Sequence, residues 1–177
     1  FIDKNEKQLA IGKRFYQSFV DRGQKIRILN EMVLAENINE ILSKAGVNRE
    51  IGLLSIDIDG NDYWIWKMIE KINPRIVVIE AKVEFGKRDL IVPYGDDNHH
   101  SVDKMYNGAS VEALRKLGRK KGYKMVGSNR QGYNLFFIRQ EEKIKEENVD
   151  SVLSDPETTQ SFYPESFYKM HEFITDN

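Results

Sequence analysis

The chain has no cysteine, which excludes disulfides and thiolate-held metals and gives no support to secretion. It also has no apolar run near the roughly 18 to 20 residues needed to span a membrane. The first residues, Phe1-Ile2-Asp3-Lys4, lack the basic-then-apolar order of a signal peptide, so the expected location is cytoplasmic. Charge of either sign is not in excess: 27 Lys+Arg face 28 Asp+Glu, which gives no sign of a polyanionic partner or an acidic substrate. The short basic stretch at residues 115–121 fits the wet face of a helix, so nucleic acid is not an expected partner. There is no internal repeat and no Gly/Ser-rich linker.

What the chain does have is enough apolar material for one core, 40% of 177 residues. Phe1-Ile2 resembles the tail of a strand, so the natural start of the domain is expected to be missing. Residues 6–21 carry Leu9, Tyr16, Phe19 and Val20 at helical spacing, with Gly23 as a stop. A short strand is expected over residues 26–29, then a helix marked by Ile38, Ile41, Leu42 and Ala45 and ended by Gly46. Residues 52–56 form an apolar run of strand length that stops at Asp57. A helix follows over residues 63–72, broken by Asn73-Pro74, and a second apolar strand covers residues 75–79. Strands apolar on both faces and separated by helices predict a parallel sheet sandwiched between helices.

A polar stretch of residues 82–107 contains Pro93 and the pair His99-His100, and loops this long inside a domain are commonly functional. Ser110 caps a predicted helix through Lys121. Residues 123–126 and 135–138 are two β-rich runs joined by too few residues for a crossover helix, so they must form an antiparallel hairpin. Residues 140–160 turn to Glu, Lys, Asp and Ser and predict a solvated helix or flexible segment. The aromatic end, with Phe162, Tyr163, Phe167, Tyr168, Phe173 and Ile174, is expected to pack back on the domain or to form a homo-oligomer contact.

In parallel α/β sheets ligands bind beyond the carboxyl ends of the strands, and residues 57–62 occupy that position. Gly60 permits a sharp turn there, and Asn61 or Asp62 can cap the next helix. Asp57 and Asp59 are expected to point to opposite sides, one of them into the cleft. Asp3, Glu31 and Glu80 likewise follow apolar segments. Carboxylates after successive strands suit ribose hydroxyls, a divalent ion such as Mg²⁺ held by Asp57 and Asp59, or a substrate hydroxyl. Glu80 equally fits a salt bridge to Lys82. His99 or His100 could serve as general base, or the two form an exposed pair. Trp64 and Trp66 are two apart on a helix, so one is core while the other can line the site.

Four apolar residues before Asp57-Ile58-Asp59-Gly60 resemble the first motif of haloacid-dehalogenase-type phosphatases, with Gly95-Asp96-Asp97 echoing a later one. Element order opposes that reading, because a helix, a strand and another helix precede the motif. An Asp-x-Asp glycosyltransferase is a further alternative. Helix and strand alternation ending in an antiparallel hairpin is instead the order of the later two-thirds of a class I S-adenosylmethionine-dependent methyltransferase. The segments at residues 53–63, 74–80, Val92-Pro93-Tyr94, Gly108-Ala109-Ser110 and Lys121-Gly122-Tyr123 resemble the FkbM-like methyltransferases.

That resemblance covers residues 1–139, leaving residues 140–177 as a charged linker and aromatic tail. It implies a Rossmann-like, mostly parallel sheet with a terminal antiparallel hairpin. It implies S-adenosylmethionine as cofactor, with Asp3 on the ribose and residues 31–35, beginning with Glu31 and Met32, beside the adenine. Asp57 would face the methionine end and the hydroxyl of a sugar or other small acceptor. The family's glycine-rich first loop should lie ahead of Phe1, so its N-terminal strand and helix are expected to be missing from this sequence. A sheet without that strand would expose unpaired backbone groups. A non-catalytic, methyltransferase-derived binding domain is the rival expectation.

Overall fold

The computed structural model describes residues 1–47, 49–95, 105–155, 158 and 161–175. Helix α1 (Glu6–Val20) starts where Asn5 Oδ1 accepts from the amides of Lys7 and Gln8 at 3.0 and 3.4 Å. It connects β1 (Ile2–Asp3) to β2 (Leu29–Asn30), a parallel pair registered Ile2 to Leu29 and Asp3 to Asn30. The strand expected over residues 26–29 is thus shorter and shifted. Its register partners are Ile2 and Asp3, and Arg27 turns its side chain to the Ala45 carbonyl.

Next come α2 (Ile38–Lys44), β3 (Glu50–Ile56), α3 (Asp62–Met68) and β4 (Asn73–Glu80). Helix α3 ends four residues earlier than its apolar periodicity predicts. Asn39 on α2 ends it: Nδ2 donates to the Met68 carbonyl at 2.7 Å, while Oδ1 accepts from the amides of Glu70 and Lys71. After a 3₁₀ turn at Val83–Phe85 come α4 (Val111–Lys120), β5 (Tyr123–Ser128), β6 (Asn134–Arg139), α5 (Val149–Val152) and α6 (Glu165–Met170). Ser110 Oγ caps α4 by accepting from Ala113 at 3.1 Å, and β5 and β6 form the expected antiparallel pair.

The mixed α/β class stands, with parallel strands and a terminal antiparallel hairpin, although the strands fall into two sheets and not one. The order in the larger sheet is β3-β4-β6-β5, with β3–β4 parallel and the other two junctions antiparallel, while β1–β2 is a separate two-stranded sheet. Among the described residues no strand bridges β1 and β3, which leaves β3 an edge strand. Its outer face is open as well. Leu53 is 56% exposed beside its register partner Ile76 at 37%, so the expected helix cover on both faces is missing for this pair.

The core lies on the other side, around Tyr63, Trp66, Val77, Ile79, Leu114, Met125 and Phe137. Gly118 of α4 sits in it because a Cβ there would stand 2.7 Å from the Phe137 ring and 3.1 Å from Trp66. Alanine gains roughly 1 kcal/mol in helix propensity, yet overpacking costs about 1–3 kcal/mol. Gly118→Ala should therefore destabilise the fold by about 1 kcal/mol, visible as a lower thermal midpoint; an unchanged or higher midpoint would show that Phe137 gives way freely.

The segment after β6 is less solvated than its composition suggests. Glu147 donates its amide to the Met125 carbonyl at 2.8 Å, and Val152 and Leu153 are buried in the main core. The aromatic end packs back on the domain, where Phe167 and Phe173 join Phe85, Val92, Tyr106, Tyr163 and Tyr168 in a second cluster.

Candidate functional site

A cleft of about 130 Å³ opens where the carboxyl ends of β1, β2 and β3 meet. Asp3 at the end of β1, Glu31 and Met32 after β2, and Asp57 and Asp59 after β3 all line it, together with Lys4, Val33, Leu34 and Asn61. Five of the sequence-predicted site residues are thereby brought together from separate parts of the chain. His99 and His100, the other two, lie outside the described residues, as do Asp96 and Asp97.

Both acids line the cleft, which corrects the expectation that they point to opposite sides: residues two apart in an extended strand share a side, and past Ile56 the backbone is no longer strand. Asp59 adopts a left-handed backbone with φ 59°, and Gly60 follows at φ 137°. A positive φ at a residue other than glycine costs about 1 kcal/mol or more and is concentrated at functional turns. Carboxylate oxygens of Asp57, Asp59 and Glu80 come within 4.8 Å of one another. The cluster therefore unites the ends of the adjacent strands β3 and β4.

Asp62 has a different task. It opens α3, is 2% exposed, and folds its carboxylate over the turn to accept from Ile58 at 2.9 Å and Gly60 at 3.0 Å. Burial pushes its pKa up to about 6 despite those backbone hydrogen bonds. Asn61 occupies the cap position without capping; its Nδ2 donates to the Gly95 carbonyl at 2.7 Å.

Glu80 is pushed up to about 7, first by burial and then by the charges of Asp62, Asp57 and Asp59, with Lys82 offsetting only part. Burial and Asp59 raise Asp57 too. Such a group of crowded acids can share protons or hold a hard divalent cation, which would relieve the repulsion. Asp3 is partly committed, since Oδ1 accepts from the Asn5 amide at 2.7 Å.

Of the two tryptophans, Trp66 is core and Trp64 belongs to the site surround, donating Nε1–H to the Val92 carbonyl at 3.0 Å. Tyr94 is the residue that sequence reasoning did not give a role. Its hydroxyl donates to Glu36 at 2.7 Å and accepts from the Ala35 amide at 3.1 Å, tying the loop after Val92 to the loop after β2. A rigid Pro93 before an aromatic with a polar tip was the available signal. No protein-family profile, curated protein or solved structure matches the chain.

Proposed function

We propose that this chain is an S-adenosylmethionine-dependent methyltransferase domain that methylates a hydroxyl of a sugar or other small acceptor. The observation that supports it is convergence: Asp3, Glu31 and Asp57, each at or just past the end of a different strand, line one cleft. The donor set fits the cofactor in kind, with carboxylates for ribose hydroxyls and Met32, Val33 and Leu34 as an apolar flank for a base. At 130 Å³ the cleft is smaller than the roughly 300–1,000 Å³ of ordinary ligand sites, so part of the ligand would lie outside it.

S-adenosylmethionine, when bound, supplies an activated methyl group. The protein's part is to position the acceptor and to take its proton. Asp57, with its pKa raised by burial and by Asp59, is the group on hand as base. Asp59 and Glu80 complete a set of hard oxygen ligands that could hold Mg²⁺ and lower the acceptor hydroxyl's pKa.

Calorimetric titration of S-adenosylhomocysteine into the intact protein should give saturable heat, and Asp3→Ala should weaken binding about tenfold or more, because hydrogen bonds to a charged carboxylate are worth about 1.5–3 kcal/mol. Absence of heat from the intact protein sinks the methyltransferase reading. The three-acid cluster also favours a second reading, a cation-dependent phosphatase or glycosyltransferase. That reading predicts Mg²⁺-dependent release of phosphate or nucleotide, lost in Asp57→Asn.

A further inference from the structure

We propose that the C-terminal segment, residues 161–175, is a strap that sets the position of residues 91–95 and, through Tyr94, of the loop after β2. The strap is joined to this stretch by backbone. Ile91 and Ile174 exchange two hydrogen bonds, Ile91 N to Ile174 O at 2.8 Å and Ile174 N to Ile91 O at 2.9 Å. The rest of the segment grips the stem beside it. The Tyr163 amide and the Tyr168 hydroxyl both donate to the Glu84 carbonyl, at 3.0 and 3.1 Å. Phe173 sets its ring edge-on to Phe85 at 5.3 Å, and His171 stacks on Tyr106 at 4.3 Å.

On the far side the same short stretch is tied into the cleft wall. The Val92 carbonyl takes Trp64 Nε1–H, the Gly95 carbonyl takes Asn61 Nδ2–H, and Tyr94 reaches Glu36 and the Ala35 amide. Between Ile91 and Tyr94 stands Pro93, whose ring fixes φ and leaves little slack. A shift imposed on Ile91 by the strap therefore reaches Tyr94 instead of being absorbed by the backbone. Ile91 also bridges to Ala109, and the Val92 amide donates to Gly108, so the strap is one of two anchors on that edge. The strap acts in this way whatever the cleft holds.

Amide hydrogen exchange tests this on the full chain, without any ligand. The telling site is the Ala35 amide, which touches Tyr94. Ile174→Pro removes one of the two bridge donors. It should accelerate exchange at Ile91 and, by about fivefold or more, the lower range of coupling between linked sites, at Ala35. Tyr94→Phe should accelerate Ala35 while leaving Ile91 unchanged, and adding Ile174→Pro to it should give no further change at Ala35. A strap that merely covers Phe85 predicts faster exchange at Ile91 with Ala35 unmoved, and that result overturns the proposal. So does a full Ile174→Pro effect at Ala35 in the Tyr94→Phe background. Protection at Met125 and Phe137, paired across β5 and β6, reports that the fold is intact. If Ile174→Pro loses it, Phe173→Leu, which loosens the strap at Phe85 without touching the bridge, is read at the same two amides by the same criteria.

Discussion

Trp66→Ala should lower the unfolding free energy by about 3–5 kcal/mol, the range for deleting a buried large aromatic. Trp66 is 1% exposed and lies 4.8 Å from the Phe137 ring and 6.0 Å from that of Tyr123. Few neighbours can relax into the space it would leave. Phe137 is held in the β6 ladder between β4 and β5, and Gly118, which packs against the Phe137 and Trp66 rings, is fixed in α4. Against a total stability of about 5–15 kcal/mol for a domain, this one change takes a large share. Urea denaturation should show a much lower midpoint with an unchanged slope. Trp64→Ala, at a half-buried position on the same helix, is the internal control and should cost clearly less. A loss below about 1 kcal/mol in Trp66→Ala would mean that the core refills the cavity.

Glu80→Gln should stabilise the protein at pH 8 and leave it nearly unchanged at pH 4.5. The sign follows from linkage. The Glu80 carboxyl is near 4.5 in the unfolded chain and about 7 in the folded one, so the native state binds the proton more tightly. Its stabilising contribution is whole below 4.5 and is lost as pH rises through 7. Asp62, raised from 3.8 to about 6, and Asp57, raised as well, act in the same direction. A full shift at Glu80 would correspond to some 3 kcal/mol, at 1.36 kcal/mol per pKa unit. Solvent screening at this partly exposed site cuts that to about 1–2 kcal/mol. Denaturation midpoints of both proteins between pH 4.5 and 8 measure it. Parallel pH profiles would show that Glu80 does not carry the strain. If Asp57, Asp59 and Glu80 hold a divalent cation, millimolar Mg²⁺ should flatten the wild-type profile as well, since the ion replaces the shared protons.

Much of this arrangement was legible because it is local. The run before Asp57, the cap at Ser110 and the hairpin of residues 123–139 are each decided by a few adjacent residues. The acids at residues 3, 31, 57 and 59 were legible as a group because each lies at or just past the carboxyl end of an apolar run. What escaped depends on partners distant in the chain. Asn39 shortens α3 from 29 residues away, and Tyr94 contacts Ala35 across 59. The joining of Asp57 and Asp59 on one side needs no departure from period-two spacing, since residues two apart share a face; what the apolar pattern does not carry is the left-handed backbone at Asp59. The split into two sheets is a matter of which edges meet, and apolar runs carry no information on that.

That split gives the cleft an uncommon mechanical character. One wall, with Asp3 and Glu31, hangs on the small β1–β2 sheet and α1, while the other, with Asp57, belongs to the large sheet, and no described ladder joins them. Residues 1–30 form a natural unit of local opening, freer to detach than β4 or β6 at the centre. A ligand seated between the walls would act as mortar between two blocks. Its signature would be slower proteolysis and slower exchange within α1, well before any rise in the temperature at which the large sheet melts.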